Sequence, residues 1–140
     1  DELLACSWQD QNRKIQKVEL DDILYITPYN LQVAKITKKI EGANVGTVDR
    51  FQGEQAPIVI LSMCATDGES AQRGLDFILE ERRINVAISR AKALAIVVGS
   101  PEIRKSRCDS VEKMKLLNTY CRIMKEGTTG PLDLKGENNE

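Results

Sequence analysis

Short runs of apolar residues recur along the chain and alternate with segments of helical periodicity. The runs predict four strands, at Ile23–Thr27, Asn44–Val48, Ile58–Cys64 and Leu94–Ser100, with Pro57 as a stop before the third. Runs that are apolar at nearly every position are typical of strands buried on both faces of a parallel sheet. Strands that alternate with helices then predict an α/β fold with a mainly parallel sheet covered on both sides.

Helical periodicity separates the predicted strands at two places. After the first strand, an apolar face lies beside three lysines, which we interpret as a solvated face rather than as a nucleic-acid patch. Ahead of the last strand, a one-sided apolar stripe falls at positions i, i+3, i+4 and i+7. The first face consists of Val33, Ile36 and Ile40 with Lys35, Lys38 and Lys39, and the stripe consists of Ile84, Ala87, Ile88 and Ala91.

The two ends of the chain are less regular. Residues 1–17 have mixed helical character. Asp109 and Glu112 form a capping-box-like start to a last helix. Its predicted apolar face consists of Val111, Met114, Leu117, Cys121 and Met124. The Gly, Asn and Glu content of residues 128–140 indicates a flexible C-terminal tail, so the folded domain is predicted to be residues 1–127.

Composition narrows the class of protein. The chain has 140 residues, of which 41% are hydrophobic and 29% charged, the composition of one ordinary globular domain. The net charge of −1 argues against a general electrostatic grip on nucleic acid, so any such contact must be local. No apolar run has membrane length, and the chain does not start with Met, which is consistent with a fragment of a longer protein.

The absence of histidine excludes several kinds of site. It removes Ser-His-Asp and Cys-His nucleophile systems and His-containing zinc sites. The four cysteines are widely spaced and form no C-x-x-C pair, so we predict buried reduced thiols in a cytoplasmic protein and no metal site. They are Cys6, Cys64, Cys108 and Cys121.

Two arginines suggest a phosphate site. Arg83 and Arg90 are seven residues apart, nearly two helical turns, and so are predicted to share one edge of the helix. Paired guanidinium groups suit a polyanion. Ligands of open α/β sheets bind at the carboxyl ends of the strands, where we also place Thr27, the stretch 47–53 and Gly99.

Three motifs carry a family resemblance. ITPYNLQV (26–33), VGTVDRFQGEQAPIVILS (45–62) and RRINVAISRAK (82–92) look like motifs IV, V and VI of superfamily 1 helicases. The resemblance covers about residues 23–101. It is closest to the branch that includes the nonsense-mediated-decay RNA helicases and bacterial helicases fused to RecB-like nucleases.

The resemblance implies a RecA-like, P-loop NTPase-type three-layer domain, the second of the two that build an ATP-dependent helicase motor. Arg90 would then be an arginine finger, supported by Arg83, because a planar permanent cation suits the charge on a transferred phosphoryl group. The resemblance also implies a stretch near the nucleotide, which consists of Gln52, Gly53, Glu54 and Gln55.

Five further positions match residues that the family places near nucleic acid. They are Thr27, Tyr29, Gln32, Thr47 and Asp49. Some of them have a structural alternative, since Thr47 could simply end a strand and Tyr29 could belong to the core.

One departure from the family pattern concerns the nucleotide side. The family usually has Gly-x-Glu in motif V, whereas this chain has Gly53-Glu54-Gln55. Gln55 can form hydrogen bonds but carries no charge. Either Gln55 acts in neutral form, or Glu54 turns toward the nucleotide.

The chain lacks the G-x-x-x-x-G-K-[ST] motif, and therefore its own P-loop. We expect ATP with Mg²⁺ to be held mainly by an N-terminal RecA-like domain of the same protein, and this chain alone to be inactive. The resemblance implies single-stranded nucleic acid as a partner, with DNA favoured over RNA, and allows a fused RecB-like nuclease domain. The competing interpretation is a non-catalytic RecA-like module that binds nucleic acid or a protein.

Overall fold

Four parallel strands form the central sheet of the computed structural model, which describes residues 2–63 and 80–127. In the described chain their order is β4-β3-β5-β6. The strands are β3 (Ile23–Ile26), β4 (Asn44–Gly46), β5 (Ala56–Ser62) and β6 (Ala91–Val98). All three pairings are parallel. The predicted α/β fold and its four strands are confirmed, with shifted strand ends.

Within the described residues three helices accompany the sheet, α1 (Asn30–Lys39), α2 (Glu81–Ser89) and α3 (Val111–Glu126). Residues of α2 and α3 pack with one face of the sheet around the buried side chains of Leu24, Val59 and Leu61. No helix of the described residues is long and apolar enough to cross a membrane. The predicted tail, residues 128–140, lies outside the described residues.

The N-terminal segment is a hairpin, so the prediction of helical character for residues 1–17 is wrong. After a 3₁₀ turn at Leu3–Ala5, β1 (Ser7–Gln9) pairs antiparallel with β2 (Ile15–Lys17). The turn between them is fixed by Asp10, whose carboxylate accepts hydrogen bonds from the backbone N–H groups of residues 12 and 14. Leu3, Leu4, Cys6 and Trp8 pack against the second face of the sheet, beside Val18, Ile23 and Ile58.

Pro57 lies inside β5 and does not stop the strand as the sequence predicts. The pairing of β5 with β6 shifts register between Ala56 and Ile58. Proline has no N–H to donate, and it is tolerated in strands at such irregularities. Pro57 is buried there, at the start of the strand.

Three details of the predicted helices also need correction. Ala91 begins β6 and is not part of α2. In α3 the N-cap is Ser110, whose hydroxyl accepts from the Lys113 N–H, whereas the Asp109 carboxylate pairs with the Lys113 ammonium. The side chains of Val111 and Met114, predicted to face the core, are 60% and 55% exposed. The packed face of α3 is formed by Leu116, Leu117, Tyr120, Ile123 and Met124.

Candidate functional site

The predicted site residues divide between the two ends of the sheet. Thr27 and Thr47 follow β3 and β4 at the carboxyl ends of these strands, whereas Gln55 directly precedes the first residue of β5. The stretch 47–53 therefore leads from one end of the sheet toward the other, and its placement wholly at the carboxyl ends is wrong. Since β5 has seven residues, the two ends are roughly 20 Å apart.

A cleft of about 230 Å³ lies at the carboxyl ends of β3, β4 and β5. We call it the carboxyl-edge cleft. Its lining brings together Thr47, Asp49 and Arg83, three of the residues that the sequence predicts. It also includes Asn30, the first residue of α1, which the sequence analysis did not single out. The remaining lining residues are Pro28, Val48, Leu61, Met63 and Ile84.

Arg83 supplies positive charge to this cleft. Its Nε lies 2.9 Å from a carboxylate oxygen of Glu80, at the N-terminal end of α2. The sequence analysis missed Glu80, although its i,i+3 spacing from Arg83 was the available signal. Because this ion pair is partly exposed, we assign it an orienting role and little stability.

A chain of hydrogen bonds links the ends of β3 and β5. The Thr27 hydroxyl donates to the side-chain oxygen of Gln32 at 3.1 Å, and the Gln32 amide donates to the Ser62 hydroxyl at 2.7 Å. Thr27 is fully buried, so within this structure its side chain holds Gln32. Ser62 was missed, and its only signal was its position at the end of a strand. Tyr29 precedes α1 and is 37% exposed.

The second cluster lies at the amino end of β5. Nε of Arg90 donates to the Val86 carbonyl at 3.2 Å, and Nη1 lies 3.5 Å from the Glu54 carbonyl. The backbone N–H of Ala56 donates to the Arg90 carbonyl at 3.0 Å. The structure thus brings Arg90 together with the loop of residues 52–55, and it places Arg83 in the other cluster.

The loop of residues 52–55 is exposed. Gly53 has φ +86°, and a β-carbon added there would meet no atom within 4 Å. Glycine is needed at this position for its left-handed backbone conformation, not to avoid a steric clash. Both Glu54 and Gln55 are exposed. Packing therefore does not determine which of the two side chains would face a ligand.

Comparisons with known proteins show what the chain is similar to. A family model described as an AAA domain matches residues 3–102. The chain is 36% identical over 132 residues to the putative helicase mov-10-B.1 of Danio rerio, covering 83% of this chain and 12% of the relative. It is 33% identical over 117 residues to the DNA polymerase alpha-associated DNA helicase A of Saccharomyces cerevisiae, covering 79% and 16%. It is also 37% identical over 95 residues to the RNA helicase Mov10l1 of Homo sapiens, covering 62% and 8%.

Proposed function

The chain belongs to the AAA domain family, as a RecA-like superfamily 1 helicase domain of the nonsense-mediated-decay-type branch, and we propose that it completes the motor of an ATP-dependent helicase. The chain spans 12% and 16% of the first two relatives, so the activity proposed is that of a longer protein. In this proposal the chain is the second motor domain, and its two clusters serve the nucleotide and the nucleic acid.

The contact between Arg90 and the loop of residues 52–55 carries the proposal. Two backbone carbonyls, of Val86 and Glu54, hold the guanidinium beside an exposed loop. A guanidinium has five N–H donors, so it can keep these two bonds and still donate to a phosphate. Because the guanidinium is already held in place, it can stabilise the charge that develops on a transferred phosphoryl group without having to reorganise. We therefore assign Arg90 as the arginine finger.

The residues at this end fit ATP as the bound group. The loop of residues 52–55 is exposed, and the space beside Gly53 is open enough for a ligand to approach the backbone. Bound ATP supplies the phosphoryl group whose transfer releases the energy for movement. Gln52, Glu54 and Gln55 would contact it through hydrogen bonds, while the P-loop of the upstream domain would hold the phosphates and Mg²⁺.

The carboxyl-edge cleft is proposed to bind a single strand of nucleic acid. Thr47 can bond a phosphate or sugar oxygen, and Arg83 brings a guanidinium group, ion-paired with Glu80, to the lining of the cleft. The Asp49 carboxylate would repel phosphate, so we propose that it accepts hydrogen bonds from donor groups of a base or a sugar.

The side chains of Gln32 and Thr27 are proposed to hold the rim of the cleft through the hydrogen bond between them. Tyr29, partly exposed beside them, is proposed to stack on a base. We propose that the bound strand is DNA. RNA is the alternative, and the experiment below compares the two.

The experiment that tests the proposal is ATP hydrolysis by the complete protein, measured with and without single-stranded DNA or RNA of the same sequence. A helicase motor shows hydrolysis that the strand stimulates, and a non-catalytic module shows none. Thr47→Val should weaken strand binding about two- to tenfold, because one hydrogen bond is lost. Thr37→Val is the matched control, since the Thr37 hydroxyl bonds only its own helix at the Val33 carbonyl in the described contacts. Equal binding by the two variants would remove Thr47 from the interface.

A further inference from the structure

The turn between the two clusters is held by a residue that neither cluster includes. Residues 47–54 form a series of tight backbone bonds, in which the N–H groups of residues 50, 51, 52 and 54 donate to the carbonyls of residues 47, 48, 49 and 51. We call this segment the motif V turn. It begins in the carboxyl-edge cleft and ends beside Arg90, so its position affects both proposed ligands.

The Arg50 guanidinium anchors this turn to the sheet. Its Nη1 donates to the Val45 carbonyl of β4 at 2.6 Å. In the described chain β4 is an outer strand, and the neighbouring Gly46 carbonyl already accepts from Thr27 on the inner side. Because carbonyls of successive strand residues point to opposite sides, the Val45 carbonyl faces the outer edge, where Arg50 satisfies it.

Two neighbours fix the path of the Arg50 side chain. The guanidinium carbon lies 5.6 Å from the centre of the Phe51 ring, which is a cation–π distance, and Phe51 is buried in the core. A β-carbon added at Gly46 would lie 2.5 Å from Cδ of Arg50 and 3.0 Å from the Phe51 ring. The glycine at position 46 therefore leaves the space through which Arg50 reaches the strand edge.

We propose that Arg50 is a positioning residue that sets the motif V turn for both clusters, an inference that rests on the proposed function of those clusters. Among the described residues the Arg50 side chain contacts Val45 and Phe51, and Arg50 reaches the lining of the cleft only through its backbone N–H, which donates to the Thr47 carbonyl within the turn. The competing role for an exposed arginine here is direct binding of a nucleic-acid phosphate.

The test compares Arg50→Ala with Arg122→Ala in the complete protein. Arg122 is the matched control, an exposed arginine paired with Glu126 of its own helix. Arg50→Ala should lower strand-stimulated kcat about three- to tenfold, since a charge-assisted bond that holds the turn is lost. KM for ATP should change less than about twofold, because the upstream domain holds the ground-state nucleotide. Arg122→Ala should leave both values unchanged.

Two further readouts separate positioning from phosphate binding. Amides 50–54 should exchange hydrogen faster in Arg50→Ala, while the slope of binding affinity against salt concentration stays that of the wild type. A slope smaller by about 0.7 would make Arg50 a phosphate ligand and overturn the proposal. Unchanged exchange in the turn would also overturn it. Exchange does not depend on ATP hydrolysis, so a wild-type protein without strand-stimulated activity would refute the proposed function and still leave the role of Arg50 measurable.

A double variant tests whether Gly46 provides the space for the Arg50 side chain. Gly46→Ala should speed exchange in the turn by displacing Arg50, and Gly46→Ala/Arg50→Ala should be no worse than the more affected single variant. Effects that multiply would show that the two residues act independently, which would contradict the proposed steric path.

Discussion

Gly99→Ala tests the packing of the last helix against the carboxyl end of β6. A β-carbon at position 99 would lie 2.7 Å from the Tyr120 hydroxyl oxygen and 3.3 Å from Cγ of Met63. Both neighbours are almost fully buried, and the Tyr120 hydroxyl donates to the Ser100 carbonyl at 2.9 Å. The tyrosine cannot move aside without loss of this bond or displacement of α3.

The expected loss of stability follows from these two effects. Overpacking of a buried site costs about 1–3 kcal/mol, and a weakened hydrogen bond adds about 1 kcal/mol. We expect Gly99→Ala to lower the free energy of unfolding of this chain by about 2–4 kcal/mol, which corresponds to a fall in Tm of about 6–16 °C. Urea and thermal unfolding followed by circular dichroism measure both quantities.

Tyr120→Phe provides the control, because it removes the atom nearest to the added β-carbon. Alone it should cost about 1 kcal/mol through the lost bond to Ser100. In the double variant the cost should be smaller than the sum of the two single costs by about 1 kcal/mol. Additive costs, or a Gly99→Ala variant within about 0.5 kcal/mol of the wild type, would refute this account of the packing.

The remaining predictions concern the nucleotide side and the isolated chain. In the complete protein, Gln55→Ala should raise KM for ATP more than Glu54→Ala does, if Gln55 takes the usual carboxylate position; the reverse ranking would assign that position to Glu54, and two negligible effects would remove both side chains from the nucleotide. The isolated chain should fold but hydrolyse no ATP, with or without a strand, because it has no P-loop. Robust turnover that survives repurification and disappears in Arg90→Ala would contradict this expectation.

Three strands of the central sheet, β3, β5 and β6, could be predicted because their residues are apolar at nearly every position. The N-terminal hairpin could not, since β1 and β2 are three residues each and largely exposed, so hydrophobic periodicity gives them little signal. Their pairing depends on the local bonds of Asp10 and on packing of Trp8 against the sheet. Neither effect is visible in a pattern of apolar positions.

The last helix shows why a correct element can be given the wrong face. Two overlapping apolar stripes share Leu117 and Met124, and both fit helical spacing. The packed one is selected by Tyr120, which fits beside Gly99 and bonds the Ser100 carbonyl. The choice of face depends on a tertiary contact between residues 20 positions apart. Helical spacing alone does not predict that contact.

The motifs select the candidate site residues, but the sequence does not indicate how they are grouped. Arg83 lies in α2 and Arg90 directly follows it, and the sequence predicts that the two act together on phosphate. In the fold, α2 connects the two ends of the sheet, so one arginine lines the carboxyl-edge cleft and the other contacts the loop before β5. The grouping is a property of the topology, because a single turn or a single helix leads from one end of the strands to the other.

The central claim is that Arg90 completes an ATP site built on another domain, and the most direct measurement is strand-stimulated ATP hydrolysis by the complete protein carrying Arg90→Ala. We predict that turnover falls roughly 10³- to 10⁵-fold, the contribution of an arginine finger, while nucleotide binding and the unfolding temperature stay close to the wild-type values. Arg90→Lys should restore little, because an ammonium lacks the planar fork. Near-native turnover of Arg90→Ala, or loss of activity only through unfolding, would contradict the claim and favour a non-catalytic module.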